Sequence, residues 1–311
     1  MWLKNLFVKV HLGINTGFVL NRFTTPEEWI PLVAEVFHLR VVQFTADLLN
    51  PSLPDEIIEA YIRRINTLTK TYGLRIHTTF TSAFTRLNHL AHPDPLLREY
   101  GLKWFYRFVD IAVALGAEGM GSHLGILTVK DYQDHKRRGE RLRQNIEGWQ
   151  KISQYAAKKG LKYLMWEPMS IGREFGETID ETRRIQDLLN KNSALPMRLC
   201  IDVDHGDVMS SNPRDTDPYA WIEAFAREIA VIHIKQSSAD KSGHWAFTPQ
   251  KNREGKITAP KLLSALEKSG VETMMLMLEL SFREREPFDS RVVSDIKASV
   301  EYWRPFVEVG I

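Results

Sequence analysis

The amino-acid sequence predicts an α/β fold, a (β/α)8 or TIM barrel, and three observations carry that expectation. Short aliphatic or β-branched runs alternate with longer amphipathic segments from end to end, the pattern of repeated βα units on a parallel sheet. Eight such runs can be counted. Gly73, Gly116, Gly160 and Gly270 each fall just past a helical stretch and just before an apolar run, where a left-handed residue is wanted to end a helix.

Taken in order, the predicted strands are residues 7–12, 41–45, 74–79, 119–123, 161–167, 198–202, 230–235 and 274–279. The first is followed by Thr25-Pro26-Glu27-Glu28, which places an N-cap, a proline in the first turn and two acids ahead of an apolar-periodic segment. After the second, Pro54-Asp55-Glu56 opens another helix. The fifth and eighth runs, LKYLMWE and MMLMLE, are almost continuously apolar. Strands buried on both faces read that way, whereas half-exposed strands alternate.

A chain of 311 residues with 43% hydrophobic and 26% charged residues has the makeup of an ordinary globular protein. Barrels of this class routinely occupy that length as one unit, so residues 1–311 are expected to form a single domain. No linker or low-complexity tract marks a second one. The single cysteine, Cys200, excludes a disulfide within the chain and any multi-cysteine zinc cluster. The N-terminus lacks the apolar run of a signal peptide and no stretch is long enough to span a bilayer; the expected location is cytoplasmic, with no membrane partner. With 41 basic and 39 acidic residues the net charge is +2, which gives no electrostatic case for a nucleic-acid partner. Near-neutral chains tend to self-associate, so a homodimer or homotetramer is compatible.

Chemistry collects at the C-terminal ends of the predicted strands, where parallel barrels carry their active sites. Glu167 ends strand five, Asp202 ends strand six, His233 lies in strand seven and Glu279 ends strand eight. Each alone has an ordinary explanation, an ion pair or a satisfied core histidine. Together they bring three carboxylates and an imidazole to one barrel mouth, and desolvating that set requires a shared counter-charge. One divalent metal ion answers, and oxygen-rich ligation suits Mn2+ first, with Mg2+, Co2+ or Zn2+ as alternatives. His205, three residues past Asp202, can orient a ligand, and His77 and His123 lie in strands three and four. Lys235, Lys241, His244, Lys251 and Arg253 crowd the stretch after strand seven, a basic loop able to clasp a phosphate.

These residues resemble the xylose-isomerase-like barrel superfamily, which includes ketose 3-epimerases, inosose dehydratase and endonuclease IV. The resemblance rests on Glu167-Pro168, Asp202-x-x-His205, His233 in Ile-His-Ile-Lys, Glu279, and Arg86-Leu87-Asn88 running into Ala91-His92-Pro93-Asp94-Pro95 with Arg98. It implies that Glu167, Asp202, His233 and Glu279 hold one metal ion and that the two glutamates are the catalytic proton carriers. It also implies that His205 contacts substrate or metal. Glu174 stands seven residues beyond Glu167, where epimerases carry a substrate-binding glutamate about six beyond. Segments such as GINTGFVLNRF, NHLAHPDP and HIKQSSADKSGHWAFTP are similar to the branch of 3-epimerases acting on erythrulose phosphate in bacterial erythritol catabolism. That implies a small sugar phosphate as substrate, inverted at C3 through an enediolate. The rival classes are an inosose-type dehydratase and an endonuclease IV-like phosphodiesterase. The latter needs extra histidines and an Asp-x-His pair, but Asp240 and His244 are separated by three residues.

Overall fold

The computed structural model describes residues 8–238 and 243–308. Its strands are β1 (Lys9–Asn15), β2 (Val41–Thr45), β3 (Arg75–Phe80), β4 (Gly119–His123), β5 (Tyr163–Glu167), β6 (Met197–Asp202), β7 (Ile229–Ile234) and β8 (Thr273–Leu278). Each pairs in parallel with the next, and β8 pairs with β1, Lys9 opposite Thr273 through to Ile14 opposite Leu278, closing the barrel. Closure leaves no unpaired sheet edge. Strands β2 and β4 occupy the expected residues; β5 and β6 differ at one end and the other four at both. β1 runs on to Asn15 because Gly13 and Ile14 find partners in Met277 and Leu278, and its expected start at Phe7 lies outside the described residues. β5 begins at Tyr163 because the Leu161 N–H still bonds the Ala156 carbonyl of the preceding helix.

The helices are α1 (Pro26–Pro31), α2 (Asp55–Tyr72), α3 (Pro95–Ala114), α4 (Val129–Gln133), α5 (His135–Lys159), α6 (Ile179–Asn190), α7 (Pro218–Phe225), α8 (Pro249–Glu254), α9 (Ala259–Ser269) and α10 (Phe288–Trp303). At the start of α1 the Glu28 carboxylate accepts from the Thr25 N–H at 3.0 Å. Pro31 has no N–H to continue the ladder, and the chain widens after it into a π turn over Leu32–Val36. The four glycines read as helix ends have φ of +61°, +73°, +93° and +69°, a region closed to most side chains. No described helix is long and apolar enough to cross a membrane.

Apolar side chains divide into two layers. Outward-facing strand residues meet the helices through large buried groups such as Trp29, Phe105, Trp149 and Trp303, each contributing about 1.5–3 kcal/mol or more by burial. Inside the barrel, Val41, Phe80, Tyr163, Met165, Cys200, Val231, Met275 and Met277 form a separate cluster. Glycines make room for it: a Cβ at Gly119 would stand 2.3 Å from the Tyr163 ring, and one at Gly121 2.4 Å from the Phe80 ring.

Two bulges set which side chains face inward. Pairing of β6 with β7 steps from Leu199–Ile229 to Cys200–Val231, skipping Ala230, and pairing of β2 with β3 steps past His77. An extra residue reverses the in–out alternation beyond it. Ala230 and Val231 therefore both contact the interior cluster, and His233 is brought inward with Val231.

Candidate metal centre

The pleat of the barrel builds the site. Glu167, Asp202, His233 and Glu279 each lie two residues beyond a member of the interior cluster, namely Met165, Cys200, Val231 and Met277. Side chains two apart on a strand share a face, so the inward row passes from apolar to polar as it reaches the mouth. One donor atom from each of the four lies within 4.8 Å of the others. His233 Nδ1 is 3.0 Å from Glu167 Oε1 and 3.5 Å from Glu279 Oε1.

Lys235 continues the same row and is completely buried. Its ammonium donates to Asp202 and, at 2.9 Å, to Glu279, and lies 3.0 Å from His244 Nδ1. Burial would raise the Asp202 pKa, but the neighbouring His205 and Lys235 outweigh it and hold the carboxyl well below the usual range. Glu279 is lowered against the same penalty of burial by His233 and Lys235. With the His233 imidazole neutral, as a metal ligand must be, three carboxylates facing one ammonium would leave two net negative charges, which one divalent cation balances. The donor set therefore fits such an ion.

Gln43, an inward residue of β2 that the sequence reading passed over, fixes the imidazole. His233 Nε2 is 2.6 Å from Gln43 Oε1, which also accepts from Asn15 Nδ2 at 2.8 Å; Gln43 Nε2 donates to Thr78 Oγ1 at 3.2 Å. A carbonyl or carboxylate oxygen accepts only from a protonated nitrogen, so without a metal Nε2 donates to Gln43 and Nδ1 to Glu167; with the Nε2 proton held by Gln43, the Nδ1 proton is the one a metal ion would displace. The signal was available: a glutamine two residues beyond Val41 in an otherwise inward apolar row.

Above these groups opens a cavity of about 420 Å3, lined by Glu167, Asp202, His205, Glu279, His123 and His244 among others. His205 Nδ1 donates to the Pro168 carbonyl at 3.0 Å, leaving Nε2 3.5 Å from Asp202. His123 Nε2 donates to the Leu87 carbonyl at 2.8 Å, and burial pushes its pKa down to about 3, so the ring is neutral. Glu174 does not reach the cavity itself but pairs with Arg86, which does.

Two further expected substrate contacts are corrected. His77 is at the opposite end of the barrel, beside Arg75 at the start of β3 and 3.4 Å from the Tyr163 hydroxyl at the start of β5. The length of the strands separates it from the mouth. Arg253 lies exposed on α8 and does not line the cavity, its long charged side chain standing in solvent. Lys241 lies outside the described residues. Lys251, from the same basic stretch, stacks on the Trp245 ring at 3.9 Å and pairs with Glu254.

The closed parallel barrel that carries this site is the fold of the family described as xylose isomerase-like TIM barrels, and the chain belongs to that family: its profile matches residues 37–305. Within it, the chain is 42% identical over 300 residues, 96% of its length and 97% of the other's, to the D-erythrulose 1-phosphate 3-epimerase of Brucella abortus (strain 2308). Among solved structures, a proposed xylose isomerase of Rhodospirillum rubrum ATCC 11170 superposes with a TM-score of 0.87 at 25% identity, over 97% of this chain and all of that one (100%). The D-psicose 3-epimerase of Clostridium cellulolyticum H10 shares the fold, with a TM-score of 0.69 at 14% identity over 96% of this chain and 99% of that one.

Proposed function

We propose that the protein is an isomerase, a divalent-metal-dependent epimerase that inverts C3 of a ketose phosphate, with erythrulose 1-phosphate as substrate. The observation that carries this reading is the pair of glutamates. Glu167 and Glu279 come from strands three apart in the closed barrel, so they approach one point from different sides, yet each places an oxygen within 4.8 Å of the other's. Inverting a carbon beside a carbonyl needs a base on one face and an acid on the other.

Glu167, Asp202, His233 and Glu279 would hold the ion, with Mn2+ as the proposed metal. Bound there, it would neutralise the charge that grows on adjacent substrate oxygens as the proton leaves. One glutamate takes the C3 proton; the other returns a proton to the opposite face. Lys235 holds Asp202 and Glu279 in place through its two hydrogen bonds. His205 and the neutral His123 line the cavity in which the sugar hydroxyls would lie. The 42% identity to the Brucella enzyme supports the choice of substrate.

The test is incubation of Mn2+-loaded protein with erythrulose 1-phosphate in D2O, read by NMR. Deuterium at C3 with inversion is expected. Deuterium at C1 or C2 with an aldose product would make the protein an aldose–ketose isomerase, and a product lacking water would make it a dehydratase. Elemental analysis of protein purified without chelator should give one metal per chain; three zinc ions would favour a phosphodiesterase.

A further inference from the structure

The proposed substrate carries a phosphate, and the cavity has a second chemical character at its rim. Its floor bears the carboxylates Glu167, Asp202 and Glu279; guanidinium groups come instead from Arg22, Arg86 and Arg283, on the loops after β1, β3 and β8. Glu284 also lines the rim, accepting from Asn21 Nδ2 at 3.1 Å, so three guanidinium groups stand there against one carboxylate; a phosphomonoester dianion is repelled by the floor and attracted to this net-positive rim, which orients a sugar phosphate with its reacting carbon inward.

The three arginines are not equivalent. Arg22 is nearly buried, bonds Asp289 through Nε at 2.5 Å and donates from its terminal nitrogen to the carbonyls of Phe282 and Arg283 at 3.1 and 2.8 Å. It therefore shapes the loop that carries Arg283. Arg283 is exposed and, among the described residues, has no acidic partner. Arg86 is partly exposed and is held by Glu174, which fixes the direction of its guanidinium while leaving other N–H groups to donate. Ser82 and Ser281 line the same cavity, and neither hydroxyl has a protein partner among the described residues. A Cβ at Gly17 would stand 3.8 Å from Ser82 Oγ, so the β1 and β3 loops approach closely at this rim.

Among the described residues, the cations of the stretch after β7 are, by contrast, engaged elsewhere. Lys235 is buried among carboxylates, Lys251 covers Trp245, Lys256 lies 3.4 Å from Asp204, and Arg253 is outside the cavity.

We propose that Arg86 and Arg283, with the hydroxyls of Ser82 and Ser281, form the phosphate subsite, on the loops after β3 and β8. This rests on the sugar-phosphate reading above. Glu174 is then a positioning residue, acting on the phosphate through Arg86.

The experiment compares kcat/KM for erythrulose 1-phosphate with that for free erythrulose in the wild type and in Arg86→Ala, Arg283→Ala and Arg253→Ala. Both substrates are run on one preparation, so any loss of folded protein cancels in the ratio. The wild type should prefer the phosphate, and the preference should fall about 10- to 100-fold in Arg86→Ala and Arg283→Ala, the loss expected for a hydrogen bond to a charged group. It should stay at the wild-type value in Arg253→Ala. If Arg86→Ala and Arg283→Ala both keep the preference, the subsite assignment is overturned while the sugar-phosphate reading stands. A wild type indifferent to the phosphate overturns that reading, and the subsite with it.

Discussion

Replacing Gln43 by leucine tests whether the barrel wall, and not the carboxylates alone, prepares His233 for a metal. Gln43 is fully buried and its Oε1 accepts from two donors, Asn15 Nδ2 at 2.8 Å and His233 Nε2 at 2.6 Å. Leucine removes the acceptor and leaves both donors without it. Each orphaned buried donor costs about 1–3 kcal/mol, so the metal-free protein should lose roughly 2–6 kcal/mol. The Cys200 sulfur, 3.3 Å from His233 Nε2, is a weak acceptor and moves the loss toward the lower end. Metal affinity should fall about 10- to 100-fold, because nothing then holds the remaining proton on Nε2 when Nδ1 gives up its own to the metal. The assay is calorimetric titration of chelator-stripped protein with Mn2+, alongside denaturant unfolding without metal. Gln43→Glu keeps an acceptor for both donors, and the Thr78 hydroxyl can turn to donate to it; this variant should bind Mn2+ within about tenfold of wild type. Wild-type affinity in Gln43→Leu would refute the tautomer argument, and equal loss in both variants would show that the acceptor is not what matters.

Glu167→Gln and Glu279→Gln should each lower turnover at least ~100-fold with the fold retained, since an amide can ligate through oxygen but cannot accept a proton; near-native kcat in either removes that glutamate from acid–base chemistry. Stability should also depend on pH through two buried histidines. Burial holds His123 at about 3 and His89 at about 4, against 6.5 for the unperturbed group. Below pH 6.5 the unfolded chain takes up protons that the folded state refuses, so stability is full above that pH and falls below it, down to about 4 for His89 and about 3 for His123, by up to about 1.4 kcal/mol per pH unit for each ring. Urea unfolding at pH 7.5, 6 and 5 measures the slope, and a flat profile contradicts neutral burial. Gly121→Ala should destabilise by about 1–3 kcal/mol, since its methyl would meet Phe80 and Met165 at 2.4–2.5 Å; an unchanged unfolding midpoint would mean the interior layer can shift.

Much of the fold was legible because it is local. Helix-ending glycines and apolar runs are properties of neighbouring residues, and the barrel follows once eight βα units must bury both faces of their strands. The convergence of Glu167, Asp202, His233 and Glu279 was legible for a related reason: in a parallel barrel every strand ends at the same mouth. Strand position alone did not separate His123 from His77, since one lies at the end of β4 and the other near the start of β3. Tertiary structure also decided the phase of β7. By simple alternation from Ala230, which packs on the interior cluster, His233 would face outward, and the extra residue at the bulge turns it in. The same holds for Gln43 against His233, 190 positions apart, and for Arg86 and Arg283 on one rim. Periodicity encodes which residues lie on a face, whereas pleat phase and the paths of the loops fix which faces meet, and those depend on contacts between segments distant in the chain.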